Sequence, residues 1–433
     1  MNWNFFANVM DGALFSLGLT FGSQQTILPV LVKDIGGGNV ALGLIPVVWT
    51  FGFNAPQFLI APLARRTARK KPLLLKTAIF QRIPWLMLAG AACFLFGRIP
   101  VGAGLALFFL LFGLAALGGS FNLPVWFDLI AKITPVDRRG RLFGARSILG
   151  ALLGAAAGAV SARVIAGFPS PYSFALLLAL AFSAMMASYM FLLTLRETDA
   201  GAAAAGIPAS RAGASHDSRE STSPAPRAVA GSASPASAGF WSILRTHRNL
   251  RNYLVADALQ ISAGMGLAFY TVHGLRKFSL SDSSAGVFTA LMMGGMIAGS
   301  LIFGPLADRR GHRINVMAAA GSTCVAATTA LVAPNPVTYG IVFVCAALTI
   351  TLGTISRLPL LAELSGEGER PSVIALANLA TSPFVLLGVA GGYIADVAGY
   401  EPVFALAALF ALAALLWLHF MVEEPRGAAV QTS

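Results

Sequence analysis

Two aspartates stand inside long apolar runs with the same companions around them. Ser16 and Gly18 follow Asp11 by five and seven residues, and Ser262 and Gly264 follow Asp257 at the same offsets. An ionisable side chain within a bilayer is costly and marks a working position by default, often a proton relay. Residues seven apart drift by only about 20° around a helix. Asp11, Gly18 and Gln25 therefore share one face, and Asp257, Gly264 and Thr271 share another. A carboxylate on such a face can take up and release a proton. Both acids also lie within about two turns of a helix start, where an aspartate serves as a simple helix-end residue. The two readings stand side by side, with Asp257 the deeper of the pair.

Uncharged polar residues within the apolar runs form a second candidate set: Gln24, Gln25, Asn54, Gln57, Asn122 and Gln260. Together with Trp49, Trp126, Phe269 and Tyr270 they can line a cavity that holds an amphipathic organic solute through a few hydrogen bonds. Each can equally tie one helix to another. Arg357 lies about a turn and a half inside its run; its partner is Glu363 on its own helix, an acid across the bundle, or an anionic group of a substrate. The five histidines, at 216, 247, 273, 312 and 419, have no metal-ligand neighbours. No Gly-rich phosphate loop followed by Lys and Ser or Thr is present. Cys93, Cys324 and Cys345 lie within apolar runs as packing residues. No catalytic constellation and no cofactor site are expected, and the chain does not read as an enzyme.

The elements that position these residues are membrane helices. Of 433 residues, 56% are hydrophobic and only 11% charged, against about 25% charged in soluble domains. Unbroken apolar runs of membrane-crossing length recur, unlike the short alternating segments of a barrel. The expected spans are 10–32, 41–63, 77–97, 106–130, 143–166 and 172–194, then 252–273, 285–305, 314–333, 337–362, 373–395 and 402–421. Between the sets, the stretch from Glu197 to about Gly239 is rich in Ala, Ser, Gly and Pro and cannot offset its ordering entropy. The organisation is a first six-helix bundle over 1–196, a disordered cytoplasmic linker over 197–245, a second bundle over 246–426 and a cytoplasmic tail over 427–433.

The net charge of +12 is a matter of topology and does not call for a nucleic-acid partner. Basic clusters at Arg65 to Lys76, Lys132 to Arg146, Arg245 to Arg251 and Arg309 to Arg313 are separated by even numbers of spans. All fall on one face, and positive short loops stay cytoplasmic. The N-terminus lacks a basic signal region, so the first span is expected to insert uncleaved, with both termini cytoplasmic in the plasma (inner) membrane. The halves also resemble each other. Asn122-Leu123-Pro124 precedes Asp128-Leu129 as Arg357-Leu358-Pro359 precedes Glu363-Leu364. The Gly150-x-x-x-Gly154-x-x-x-Gly158 ladder permits close helix packing.

The stretch Gly304-Pro-Leu-Ala-Asp308-Arg309-Arg310-Gly311-His312-Arg313 closely resembles the loop signature of the major facilitator superfamily, G-x-x-x-D-R-x-G-R/K-R/K. Only His312 departs from it. The resemblance implies an all-α membrane protein of about twelve transmembrane helices in two six-helix bundles, with the first and seventh spans lining a central cavity. It also implies a conformational latch built from Gly304, Asp308, Arg309, Gly311 and Arg313. In the first-half counterpart, 61–70, Arg65 replaces the acid, so either Asp128 supplies the carboxylate there or the two halves gate unequally. Pro135 to Gly140 is similar to the P-x-x-x-R-G run of the sugar-porter branch, which adds Arg139; Glu363 and Arg370 are the second-half counterparts. The fifth-span proline motif and fourth-span arginine of drug antiporters are absent. The resemblance implies a secondary active transporter, symporter or antiporter, working by alternating access on a small organic, amphipathic solute. Proton coupling and a lean to export go with that expectation; the alternative is a non-transporting membrane sensor or assembly factor. The expected partners are the solute, the lipid bilayer and H+, and the chain is expected to be a monomer.

Overall fold

A computed structural model describes residues 3–54, 69–197, 247–365 and 370–425. The described residues are helical throughout: α1 (Trp3–Phe21), α2 (Ile27–Asp34), α3 (Asn39–Asn54), α4 (Lys70–Phe94), α5 (Val101–Ile133), α6 (Val136–Gly167) and α7 (Tyr172–Thr194) in the first half. In the second half follow α8 (Arg248–Ala263), α9 (Tyr270–Lys277), α10 (Ser284–Arg310), α11 (His312–Val332), α12 (Pro336–Glu363), α13 (Arg370–Thr381), α14 (Leu387–Ala398) and α15 (Tyr400–Met421). Ten helices among the described residues are long and apolar enough to cross a membrane. The α1–α2 pair and α3 bring the spans to twelve, in the two six-helix bundles that the sequence leads one to expect. The linker and tail proper, 198–246 and 426–433, lie outside the described residues.

Three spans expected as continuous helices are broken. The first stops at Phe21 and resumes at Ile27, where the N–H groups of Ile27 and Leu28 both donate to the Ser23 carbonyl. Gly22 sits at the break because a Cβ there would collide with the Trp85 indole. The seventh breaks in a short 3-10 turn at Gly264–Gly266, and the eleventh at Ser382–Leu386, which contains Pro383. Broken helices expose backbone polar groups at membrane depth, where they are tolerated only beside a cavity or within protein. The break also corrects the expected Asp11–Gly18–Gln25 face. Gly18 packs against Ala181 and Met185 of α7, so this stripe looks into the first bundle, and Gln25 lies in the break itself.

The halves meet along two helix pairs, α6 with α10 and α3 with α14. At both, glycine removes the side chain that would hold the backbones apart. A Cβ on Gly286 would collide with the backbone of Ala162, one on Gly158 with Ala290, and one on Gly43 with the Gly388 carbonyl. These contacts lie toward the face away from the linker, called the far face below. Polar contacts join them. The Asp396 carboxylate accepts the N–H groups of Asn39 (3.1 Å) and Val40 (3.4 Å) at the start of α3. An acid is favoured at that helix end. The Tyr400 hydroxyl donates to Asn39 Oδ1 at 2.7 Å, and the Thr271 hydroxyl donates to the Gln25 carbonyl at 2.7 Å. The Gly150 ladder serves both directions, with Gly150 against Ser16, Gly154 between Thr20 and Met293, and Gly158 on α10.

On the linker face, each bundle ties its last span to its third with a glutamate. Glu197, three residues beyond α7, accepts the N–H groups of Lys70 and Lys71 at 2.9 Å and the Lys132 ammonium at 2.9 Å. Glu424, three residues beyond α15, accepts the Arg313 N–H at 3.3 Å. The turn at 304–313 is shorter than the sequence suggests. Helix α10 runs on to Arg310, Gly311 alone makes the turn with φ +88°, and α11 starts at His312. A left-handed φ of that kind favours glycine.

Partial burial opposes the Glu197 charge, but the Lys71 and Lys70 amides and the Lys132 ammonium outweigh it and hold its pKa below the usual glutamate value. A depressed carboxylate contributes stability above its unfolded value of about 4.3, and loses that contribution as pH falls through the folded value. Glu197→Gln is therefore expected to lower the melting temperature in detergent at pH 7. The gap to the parent should close as pH drops below about 4, and parallel melting curves across pH check this.

Candidate functional site

The chain's polar chemistry is gathered in three places: a charged pair in the second bundle, a charged cluster in the first, and an uncharged cavity between them.

In the second bundle Asp257, on α8, meets Arg357, on α12. The Arg357 Nε lies 3.1 and 3.0 Å from the two carboxylate oxygens, and Nη2 lies 2.8 Å from Oδ2. Arg357 also donates from Nη1 to Asn378 Oδ1 (3.0 Å) and from Nη2 to the Thr381 hydroxyl (3.3 Å) across the bundle on α13. Of the partners open to Arg357, the acid across the bundle is the one present. Glu363 lies instead by His312, with Oε1 4.0 Å from Nε2.

In the first bundle Asp11, at the position equivalent to Asp257, is paired from a different helix. Arg146 of α6 places Nη1 3.1 Å from Asp11 Oδ2 and donates to the Asn8 carbonyl at 2.7 Å. It also bonds the Asn8 side-chain oxygen and lies 4.5 Å over the Trp126 ring. The Ser188 hydroxyl donates to Asp11 Oδ1 at 2.7 Å and accepts from Arg82 Nη2 at 2.9 Å. Asn122, which stands where the second half has Arg357, donates to Gln81 Oε1 at 3.2 Å and accepts from Thr77 at 3.1 Å.

Between the bundles is a cavity of about 370 Å³. It starts at the helix break, at Gly22, Ser23, Gln24, Gln25 and Trp85. It runs toward the linker face past Ser147, Gly150, Met293, Met296, Ser300 and Thr354. Among the described residues its lining holds no ionisable side chain.

The predicted residues divide accordingly. Gln24 and Gln25 line the central cavity, while Asn122 and Trp126 line the first-bundle cluster. Gln260 donates to Thr323 at 2.8 Å and serves as a helix tie. Tyr270 is buried, stacked on Phe404, with its carbonyl accepting from Tyr339. Asn54 is exposed at the end of α3, and Gln57 lies outside the described residues. Among the latch residues, Arg313 donates to the Leu418 and His419 carbonyls that end α15, and Arg139 to the Ala131 and Thr134 carbonyls that end α5. Cations at helix C-termini are favoured. Asp128 lies 3.6 Å from Lys70. Gly304 is half-buried, and Asp308 and Arg309 are exposed on the last turn of α10. Arg370 opens α13, and its side chain is outside the described set.

Two residues escaped the sequence reading. Arg82 stands in the middle of the third apolar run, and the signal that marked Arg357 marks it too. Arg146 was grouped with the loop charges because its span was expected to start at 143. The helix in fact starts at Val136, which puts Arg146 about three turns in.

The sequence pattern of the Major Facilitator Superfamily matches residues 258–433. A putative metabolite transport protein of Bacillus subtilis (strain 168), YwtG, is 31% identical over 154 residues, which are 35% of this chain. That match spans about a third (33%) of the relative's length. Similar solved structures include a mutant of the nucleoside transporter NupG, with TM-score 0.70, 12% identity, and 98% of this chain and 100% of that one covered. The D-xylose-proton symporter superposes with TM-score 0.66 at 13% identity, covering 98% of each chain. The second half of the chain thus matches the superfamily's sequence pattern, and the whole chain shares the fold of these transporters. The match over residues 258–433 includes the signature at 304–313.

The Asp257–Arg357 pair predicts its own test. Removing one partner of a buried ion pair costs about 3–5 kcal/mol. Arg357 keeps 26% of its side chain exposed, so Asp257→Asn is expected at the lower end. Asp257→Asn with Arg357→Gln should cost less than the sum of the single changes, read as melting temperatures in detergent across the double-mutant cycle.

Proposed function

We propose that the protein is a secondary active transporter that moves a small, largely uncharged amphipathic solute by alternating access through the central cavity. The observation that carries this reading is the lining. Hydroxyls and amides of Ser23, Gln24, Gln25, Ser147, Ser300 and Thr354 alternate with Trp85 and the thioethers of Met293 and Met296. A few placed polar groups on an apolar wall suit a solute with both characters, and methionine adapts its shape to the guest. An ionised solute would find no counter-charge on that wall. The transporters that share this fold accord with transport and leave the solute open.

Alternation would proceed by rocking of the two bundles. The cavity reaches from the break in the first span toward the linker face, while the glycine contacts close the far face. In the opposite state α3 would leave α14 and α6 would leave α10 on the far side, freeing Asn39 from Asp396. The linker-face residues Asp308, Arg309 and Arg313, with Glu197 and Glu424, would hold or release the other side. Asp257 and Asp11 are the candidates for proton coupling. Each is paired with an arginine, Asp11 with Arg146 and Asp257 with Arg357.

Thr354→Trp fills the cavity from an exposed position on its wall. In proteoliposomes screened against a panel of neutral metabolites and drugs under an imposed pH gradient, it is expected to abolish movement of whichever solute the parent carries. Its gel-filtration profile should match the parent's. Undiminished transport by this variant would contradict passage through the cavity.

A further inference from the structure

The first bundle contains more buried positive charge than its own residues neutralise. Arg82 is 1% exposed in the middle of α4. Its Nε donates to the Met185 carbonyl at 2.8 Å, Nη1 to the Ala78 carbonyl at 2.8 Å, and Nη2 to the Ser188 hydroxyl at 2.9 Å. All three acceptors are neutral. Asp11 is directly paired with Arg146 and reaches Arg82 only through Ser188. Two guanidinium groups thus share one carboxylate. The second bundle, by contrast, balances Arg357 with Asp257 one to one.

Among the described residues of the first half, no other acid supplies the missing charge. The acids of residues 1–197 are Asp11, Asp34, Asp128, Asp137 and Glu197. Asp34 accepts from Ser170 at the far face, Asp128 pairs with Lys70, and Glu197 is held by Lys132 and the α4 N-terminus. Asp137 precedes Arg146 by nine residues on α6, about 13 Å along the helix. The undescribed stretch 55–68 contains no Asp or Glu. An unpaired charge taken out of water costs several kcal/mol, so the cluster is incomplete as it stands.

The space beside the two arginines fits what is missing. A cavity of about 140 Å³ is lined by Asp11, Gln81, Arg82, Asn122, Trp126 and Arg146. The Trp126 Nε1–H is buried there without a partner among the described residues. Gln81 spends its carbonyl oxygen on Asn122, and its amide nitrogen has no hydrogen bond among them. Donors with no acceptor, next to an excess guanidinium, are the chemistry of an anion site. At about 30 Å³ per water, the volume holds a few waters or one small carboxylate. Phe15 and Tyr189 cover the Arg82 guanidinium with their rings at 5.3 and 5.6 Å.

We propose that the first bundle carries an anion site, separate from the uncharged central cavity, that takes a small monovalent carboxylate on Arg82 with Trp126 Nε1 as a second donor. The site lies one residue from the central cavity along two helices, since Phe15 and Arg146 adjoin Ser16 and Ser147. The carboxylate is therefore either a free ion or the acid group of a solute whose body occupies the central cavity.

The purified full-length protein in detergent is titrated with sodium acetate. Ionic strength is held with sodium sulfate, whose second charge has no partner in the pocket; acetamide is the uncharged control. Binding is read from the melting temperature and the tryptophan fluorescence. The parent is expected to show a saturable shift with acetate and none with acetamide. Arg82→Gln should lose the shift, and Trp126→Phe should weaken acetate binding several-fold. If Arg82→Gln does not fold, Trp126→Phe and Arg82→Lys carry the comparison. A response that never saturates, or that is identical in parent and variants, would overturn the site. In proteoliposomes, competition by acetate against the carried solute assigns the anion to the solute, and stimulation at saturating neutral solute assigns it to a free ion. Acetate binding that occurs without any transport would leave the site standing and count against the transport reading alone.

Discussion

Two polypeptide backbones approach without side chains between them at the crossings of α6 with α10 and α3 with α14, and the remaining architecture follows from that contact. Gly158 and Gly286 at one crossing, and Gly43, Gly388 and Gly392 at the other, let the bundles close on the far face. Lipid offers no hydrophobic drive for helices to associate, so close packing and hydrogen bonds must supply it. Asp396 on the start of α3 and Tyr400 on Asn39 add the hydrogen bonds. With that side closed, the space between the bundles reaches toward the linker face as the cavity that starts at the break in the first span. Such a contact is thin enough to part, which is what alternating access asks of it.

The second constraint is the cost of charge at membrane depth, and the two bundles meet it differently. The equivalent acids Asp11 and Asp257 are both neutralised by arginine, yet Arg146 comes from the fifth span and Arg357 from the tenth. Where the second half places Arg357, the first places Asn122, and the freed position lets Arg82 enter from the third span. One balanced pair and one cluster with a surplus positive charge are the result. The asymmetry puts the ionic chemistry inside the bundles and leaves the cavity between them uncharged. The glutamates at 197 and 424 keep the repeat intact at the linker face, where each binds the start of its third span.

Much of the fold was legible because bilayer length and loop charge are written directly in composition. The sixth span was placed to the residue, and the repeat was visible in Asn122-Leu-Pro against Arg357-Leu-Pro. Helix breaks were not legible, because Gly22 looks like any other glycine until Trp85 is known to press on it. Asp257 and Arg357 were each marked by their position, but their pairing required the crossing of α8 and α12. The Asp11 stripe pointed into the bundle because a seven-residue spacing fixes a face without saying what lies against it. Arg146 was hidden by a span boundary set seven residues late. Arg82 carried the same signal as Arg357 and went unread among its apolar neighbours. Tyr270 and Gln260 show the limit of reading polar residues as cavity lining, since packing and helix ties use the same residue types.

The central claim is that the far face opens as a unit while the ion pairs within each bundle hold. Spin labels at Val101 and Val337, both exposed at the far-face ends of α5 and α12 in opposite bundles, test it by pulsed electron–electron distance measurement in lipid nanodiscs. The account predicts two distance populations whose ratio shifts when a carried solute is added. A label pair within one bundle, at Val101 and Phe168, should stay at one distance. A single unchanging Val101–Val337 distance under all conditions, or equal changes in both pairs, would contradict rigid-bundle alternation.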